Sequence, residues 1–104
     1  MAERTVVWTQ TAVTQRREIL KYWAKRNGSL RYPQKLIKLI KRRVEVIARN
    51  PFAFMETTYQ GTRVSALGHF SIFYKVSDQN LIITAFWDNR QDPKVLYEIL
   101  TQQN

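Results

Sequence analysis

A chain of 104 residues, 44% of them hydrophobic and thirteen of them aromatic, is long and apolar enough for one domain with one core, and too apolar for a disordered segment. It has no cysteine, which excludes disulfides and cysteine-based zinc sites and fits a cytoplasmic protein. The formal charge of +9 is uneven: residues 1–50 hold thirteen Lys and Arg against three Glu, a balance of +10, and residues 51–104 hold four against five acidic residues, a balance of −1.

A basic half of this kind points to a polyanionic surface or an acidic protein partner, with a merely solvated basic face as the bland alternative. The first residues contain no apolar core of signal-peptide length, and no run approaches a membrane span, so the expected setting is away from the bilayer.

Residues 5–8 (TVVW) read as a short strand. Thr9, Gln10 and Thr11 offer cap oxygens for a helix over 12–26, in which Ile19, Tyr22, Trp23 and Arg26 follow the i, i+3, i+4, i+7 spacing of one face. Asn27, Gly28 and Ser29 end it, since Asn and Gly tolerate the left-handed backbone of a helix C-terminus. A second helix begins near Leu30, with Ser29 as its cap and Pro33 in its first turn. Leu36, Ile37, Ile40, Val44 and Ile47 recur at helical spacing until Asn50-Pro51 stops it. So short a link makes the two helices an antiparallel hairpin. In the connecting segment 52–61, Phe52, Phe54 and Met55 are expected to plug the end of the helical layer.

Residues 63–67 (RVSAL) read as a strand, with Gly68 at a turn or bulge. Two strands follow, 69–76 and 81–87, joined by the polar turn Ser77-Asp78-Gln79-Asn80. By alternation Phe70, Ile72, Tyr74 and Val76 face the helices, and His69, Ser71, Phe73 and Lys75 form an open face. Asp92-Pro93 caps a short last helix bearing Val95, Leu96, Ile99 and Leu100. The whole chain, 1–104, is thus expected to be one α+β domain of order β-α-α-β-β-β-α: a strand, a helical hairpin, a three-stranded antiparallel meander and a helix.

The run Gly68-His69-Phe70-Ser71-Ile72-Phe73-Tyr74-Lys75-Val76 approximates a G-x-x-x-[IL]-x-Y-x-[VI] pattern, and the last strand leads into Asp88-Asn89-Arg90-Gln91-Asp92-Pro93. With this order of elements, the sequence resembles the RelE/ParE superfamily of bacterial toxins from type II toxin–antitoxin modules, which includes plasmid-stabilisation proteins. The resemblance covers nearly the whole chain. It implies one of two activities: RelE-like members cleave mRNA in the ribosomal A site, and ParE-like members inhibit DNA gyrase without nuclease chemistry. In both, it implies neutralisation by a cognate antitoxin that wraps the toxin, and so a toxin–antitoxin hetero-oligomer.

Cleavage of the RelE kind must deprotonate a 2′-OH, protonate the leaving 5′-oxygen and stabilise charge on the phosphate. The resemblance puts Arg63, His69, Lys75, Arg90 and Tyr97 forward as the catalytic candidates of such a nuclease. Nuclease relatives often carry an arginine three residues before the third-strand tyrosine. Here that position is Ser71, which has no charge to offer a phosphorane. This counts against a nuclease, although many ParE-like toxins also carry arginine there and the serine does not by itself select that branch. The expectation is the ParE-like branch, with the metal-independent mRNA endonuclease as the alternative and a degenerate, non-toxic member as a second one.

For binding the target or the antitoxin, the candidates are Lys38, Lys41, Arg42, Trp87 and Arg90. The bland readings are solvated lysines, a tryptophan that caps the core, and an Arg90 paired with Asp88 or Asp92. Trp23 and Trp87 are the aromatics expected nearest a binding groove. No Walker loop, HExxH or metal-ligand spacing is present, and no cofactor or metal is expected.

Overall fold

The computed structural model describes residues 4–102. The elements are β1 (Thr5–Trp8), α1 (Gln10–Asn27), α2 (Arg31–Arg49), β2 (Met55–Glu56), β3 (Arg63–Leu67), β4 (Phe70–Val76), β5 (Asn80–Asp88) and α3 (Pro93–Gln102). This is the expected α+β order with one short strand added.

Local chemistry sets the helix ends. The Thr9 hydroxyl accepts the Ala12 N–H at 3.2 Å, and Gly28 closes α1 in the left-handed region at φ 60°. Ser29 is not the cap of α2 as expected. Leu30 holds that position without a side-chain cap bond, Ser29 Oγ accepts the Arg31 N–H from one residue further back at 3.1 Å, and Pro33 is buried inside the first turn.

The sheet runs in the order β1-β5-β4-β3-β2. β1 lies parallel to β5, pairing Thr5 with Asn80 through Trp8 with Ile83, and the other neighbours are antiparallel. Strand β5, apolar along most of its length, is therefore interior where β1 flanks it.

The main core packs Leu36, Ile40, Val44 and Ile47 of α2 and Ala12 and Ile19 of α1 against Phe70, Ile72, Tyr74, Leu81, Ile83 and Phe86. A bulge near Phe73 and Tyr74 pairs Phe73 with Ala85 but Tyr74 with Ile83. The extra residue, Thr84, shifts the alternation of β5, so Ile83 and Phe86 both reach the helical core.

Two further expectations need correction. The face carrying Phe73 is not open: α3 folds back over it, and Phe73, Ala85, Trp87, Leu96 and Leu100 form a second core. Alternation shows that a strand has two faces but not that a helix later in the chain covers the other one. Likewise Phe52 and Met55 do not plug the helical layer. They are 61% and 72% exposed, and only Phe54 packs against the core. Met55 and Glu56 instead form the edge strand β2 against Val64 and Arg63, and the guanidinium of Arg63 sits 5.3 Å from the centre of the Phe52 ring.

Candidate functional site

β1 pairs with β5 only as far as Ile83, so residues 84–88 of β5 have no strand on their outer side. α1 lies there instead. Thr9 Oγ1 donates to the Thr84 carbonyl at 3.4 Å, and Gln15 Oε1 accepts the Phe86 N–H at 2.9 Å. A helix backbone cannot continue the ladder of a strand. Between the two elements lies a groove of about 690 Å³. Ile19, Tyr22 and Trp23 line one wall; Phe86, Trp87 and Asp88 line the other, and Arg90 and Gln91 close one end. Tyr22 is 53% exposed although it belongs to the apolar face of α1.

Among the described residues, two of the groove wall hold buried polar atoms without a partner, the donors Gln15 Nε2 and Trp23 Nε1. Leaving such a donor unpaired in the interior costs on the order of 1–3 kcal/mol, and both atoms are themselves shut off from the groove surface.

Arg90 is fixed rather than loose. Its Nη2 and Nε donate to Asp88 Oδ2 and Oδ1 at 2.7 and 2.9 Å, and its backbone N–H donates to Oδ1 at 3.0 Å. The hydrogen bonds from Arg90 hold the Asp88 carboxyl below the usual carboxylate range, against the opposing effect of partial burial. The same guanidinium lies 5.2 Å from the centre of the Trp23 ring. Trp23 in turn meets Tyr22 and Tyr32 edge to face, at 5.3 and 5.2 Å. Asp88 thus aims a cation across the mouth of an aromatic cluster.

The candidates for nuclease chemistry are not gathered in one place. His69 is exposed in the turn before β4, and its carbonyl accepts the Asn89 N–H at 2.9 Å, so it shares an end of the sheet with Arg90. Arg63 and the half-buried Lys75 lie toward the other end of β4, about 20 Å from His69 at the usual rise of a strand. Arg63 donates to the Phe52 and Phe54 carbonyls at 3.3 and 2.7 Å and to Glu56 at 2.9 Å, clamping the segment before β3. Tyr97 is exposed on α3, its ring 6.1 Å from that of Tyr59. Ser71 is buried and donates to Asn89 Oδ1 at 2.7 Å.

Lys38, Lys41 and Arg42 are exposed on α2, and no α2 residue lines the groove. Trp87 is 5% exposed and packs in the core under α3, while also contributing to the groove lining. Trp23 stands in the groove wall, as expected. Gln15, Glu18, Tyr22 and Gln91 were not anticipated there. The available signal was Gln15 itself, a polar residue at the i−4 position of the stripe that continues through Ile19 and Trp23. No group of three or more metal-ligating side chains occurs among the described residues, and no helix is long and apolar enough to cross a membrane.

Comparison with known proteins bears on the family and the fold. The family model "ParE toxin of type II toxin-antitoxin system, parDE" matches residues 6–93. No curated protein matches the chain. Among solved structures, a chain of the "Chromosomal ParDE TA system from P. aeruginosa" superposes with a TM-score of 0.70 at 19% identity, covering 81% of this chain and 94% of that one. At that identity the likeness is one of fold. The match of a family model over most of the sequence goes further, and the chain belongs to the ParE toxin family of type II toxin–antitoxin systems.

Proposed function

We propose that this chain is a growth-inhibiting toxin that acts by binding, with DNA gyrase as its target, and that a cognate antitoxin neutralises it in the cytoplasm as part of a plasmid-stabilisation module. The observation that carries the non-nuclease reading is the scatter of the candidate groups. Arg63 and Lys75 stand about 20 Å along β4 from His69, and Ser71 spends its hydroxyl on Asn89. General acid, general base and phosphate-binding groups must meet within hydrogen-bonding reach of one reacting phosphate, and these do not. Expression in a bacterium is expected to induce a DNA-damage response and to leave mRNA on purified ribosomes intact. Codon-specific cuts at the A site overturn the reading.

The antitoxin is assigned to the groove between α1 and β5. An extended segment laid there covers Ile19, Tyr22, Trp23 and Phe86 with its apolar side chains. Arg90, held by Asp88, supplies a cation at the groove's end for an acidic side chain.

One observation favours the mRNA endonuclease as the second reading: His69 and Arg90 lie at the same end of the sheet, linked through the His69–Asn89 backbone hydrogen bond. The ribosome assay decides between the two.

A further inference from the structure

The groove leaves the most strongly charged surface of the molecule unused. On α2, Arg31, Lys35, Lys38 and Arg42 are spaced by four, three and four residues, which at about 100° per residue keeps them within about 40° of one line along the helix. All four are exposed, and none forms an ion pair with another described residue. Lys41 flanks the line, and Glu45, the single acidic residue of α2, stands just beyond Arg42. The opposite side of the helix is buried through Pro33, Leu36, Ile40, Val44 and Ile47, so the stripe is mounted on a fixed ridge rather than on a mobile tail.

We infer that this face of α2 is a binding surface for the phosphate backbone of duplex DNA. The four cations extend over about 17 Å at the helical rise, and duplex DNA presents about one negative charge per 1.7 Å of axis, so every cation on the line finds a phosphate. The side chains argue against other occupants. A protein partner needs an apolar or aromatic anchor at the centre of its contact, and the stripe has none: Ile37 and Val46, the large exposed apolar residues of α2, project on opposite flanks. Single strands are held by stacking on aromatic rings, and no ring lies on the line. Between the duplexes, a projecting helical ridge fits the wide major groove of B-form DNA and not the deep, narrow one of A-form RNA. No base-reading set accompanies the cations, so binding is to the backbone and independent of sequence.

This inference stands apart from the assignment of target and antitoxin, and its failure leaves that reading intact. The experiment is fluorescence anisotropy of a labelled 20-base-pair DNA duplex titrated with the full-length chain between 50 and 200 mM salt. The wild type is expected to bind with a slope of log affinity against log salt near −4, and the triple variant Lys35→Gln, Lys38→Gln, Arg42→Gln to bind at least tenfold more weakly with a slope near −1, about 0.9 being lost per phosphate contact. The control is Arg17→Gln, Lys21→Gln, Lys25→Gln, which removes the same net charge from exposed positions of α1 and is expected to keep most of the affinity and slope. A thermal melt of each variant confirms the fold. Equal losses in the two triples mean that net charge alone is at work and overturn the inference. So does no binding at 50 mM salt, or an RNA duplex of the same sequence bound as tightly as the DNA.

Discussion

Asp88 and Arg90, two residues apart, form a two-point ion pair across the end of β5, with Nη2–Oδ2 at 2.7 Å and Nε–Oδ1 at 2.9 Å. The carboxylate is largely shielded and the guanidinium half exposed, so the pair fixes the arginine more than it hides it. Its direction matters because Trp23 lies under the same guanidinium. Where the strand ends, the pair connects it to the aromatic wall of α1.

That pair gives stability a defined pH dependence. Asp88 has its folded pKa lowered, chiefly by the hydrogen bonds from Arg90. Its contribution is therefore full above the unfolded carboxylate pKa, near 3.9, and is lost as pH falls through the lower folded value. Asp88→Asn is expected to cost about 1–2 kcal/mol at pH 7 by urea denaturation. The difference from wild type should shrink as pH drops below 4, and a difference that does not change between pH 7 and pH 2.5 contradicts the assignment.

Tyr74 is fully buried, and its hydroxyl donates to the Pro51 carbonyl at 2.6 Å. This bond ties the end of α2 to the centre of the sheet. Burial raises the phenol pKa, and the nearby Arg63 charge partly opposes that rise. Tyr74→Phe leaves the carbonyl without its partner and is expected to cost roughly 1–3 kcal/mol with no change in secondary structure. Equilibrium unfolding in urea measures it, and a loss below about 0.5 kcal/mol would show that water replaces the hydroxyl.

Arg63 is a clamp in this structure. It reaches two backbone carbonyls and the Glu56 carboxylate at once, which a lysine ammonium on a flexible stem cannot reproduce. Arg63→Lys is expected to increase amide hydrogen exchange across residues 52–57 while leaving α1 protected. If growth inhibition in cells disappears while exchange there stays as in the wild type, Arg63 belongs to the functional surface instead.

Filling the groove should stabilise the folded chain by mass action. A partner at a thousand times its Kd adds about 4 kcal/mol. The melting temperature of the chain with its cognate antitoxin is expected to exceed that of the chain alone by several degrees, and Trp23→Phe, which thins the aromatic wall of the groove, should reduce that increment. Equal melting temperatures at saturating partner would sink the docking assignment, and an increment untouched by Trp23→Phe would move the partner off this groove.

The elements themselves were legible in the sequence because their signals are local. Thr9, Gly28, Pro33 and Asn50-Pro51 mark the helix ends through backbone geometry that a few residues decide. The period of Leu36, Ile40, Val44 and Ile47 marks the buried side of α2, and the β-branched and aromatic run of β4 and β5 marks a hairpin. The carboxylates within reach of Arg90 could also be named, since Asp88 and Asp92 flank it.

What only the tertiary structure decided is whatever depends on a pairing between distant segments. The parallel match of β1 with β5 joins residues 75 positions apart, and where it stops, at Ile83, decides that a groove opens beside residues 84–88. The bulge at Thr84 chooses which side chains of β5 meet the helices, and the return of α3 closes the face that alternation left open. Two-residue β2 has no period to detect and exists because Met55 and Glu56 find the edge of β3. Periodicity reports that a side chain prefers to be buried. The hydrogen-bonding partner that buries it is chosen by the closure of the whole chain, and so the site, made where two elements fail to meet, was not written in either one.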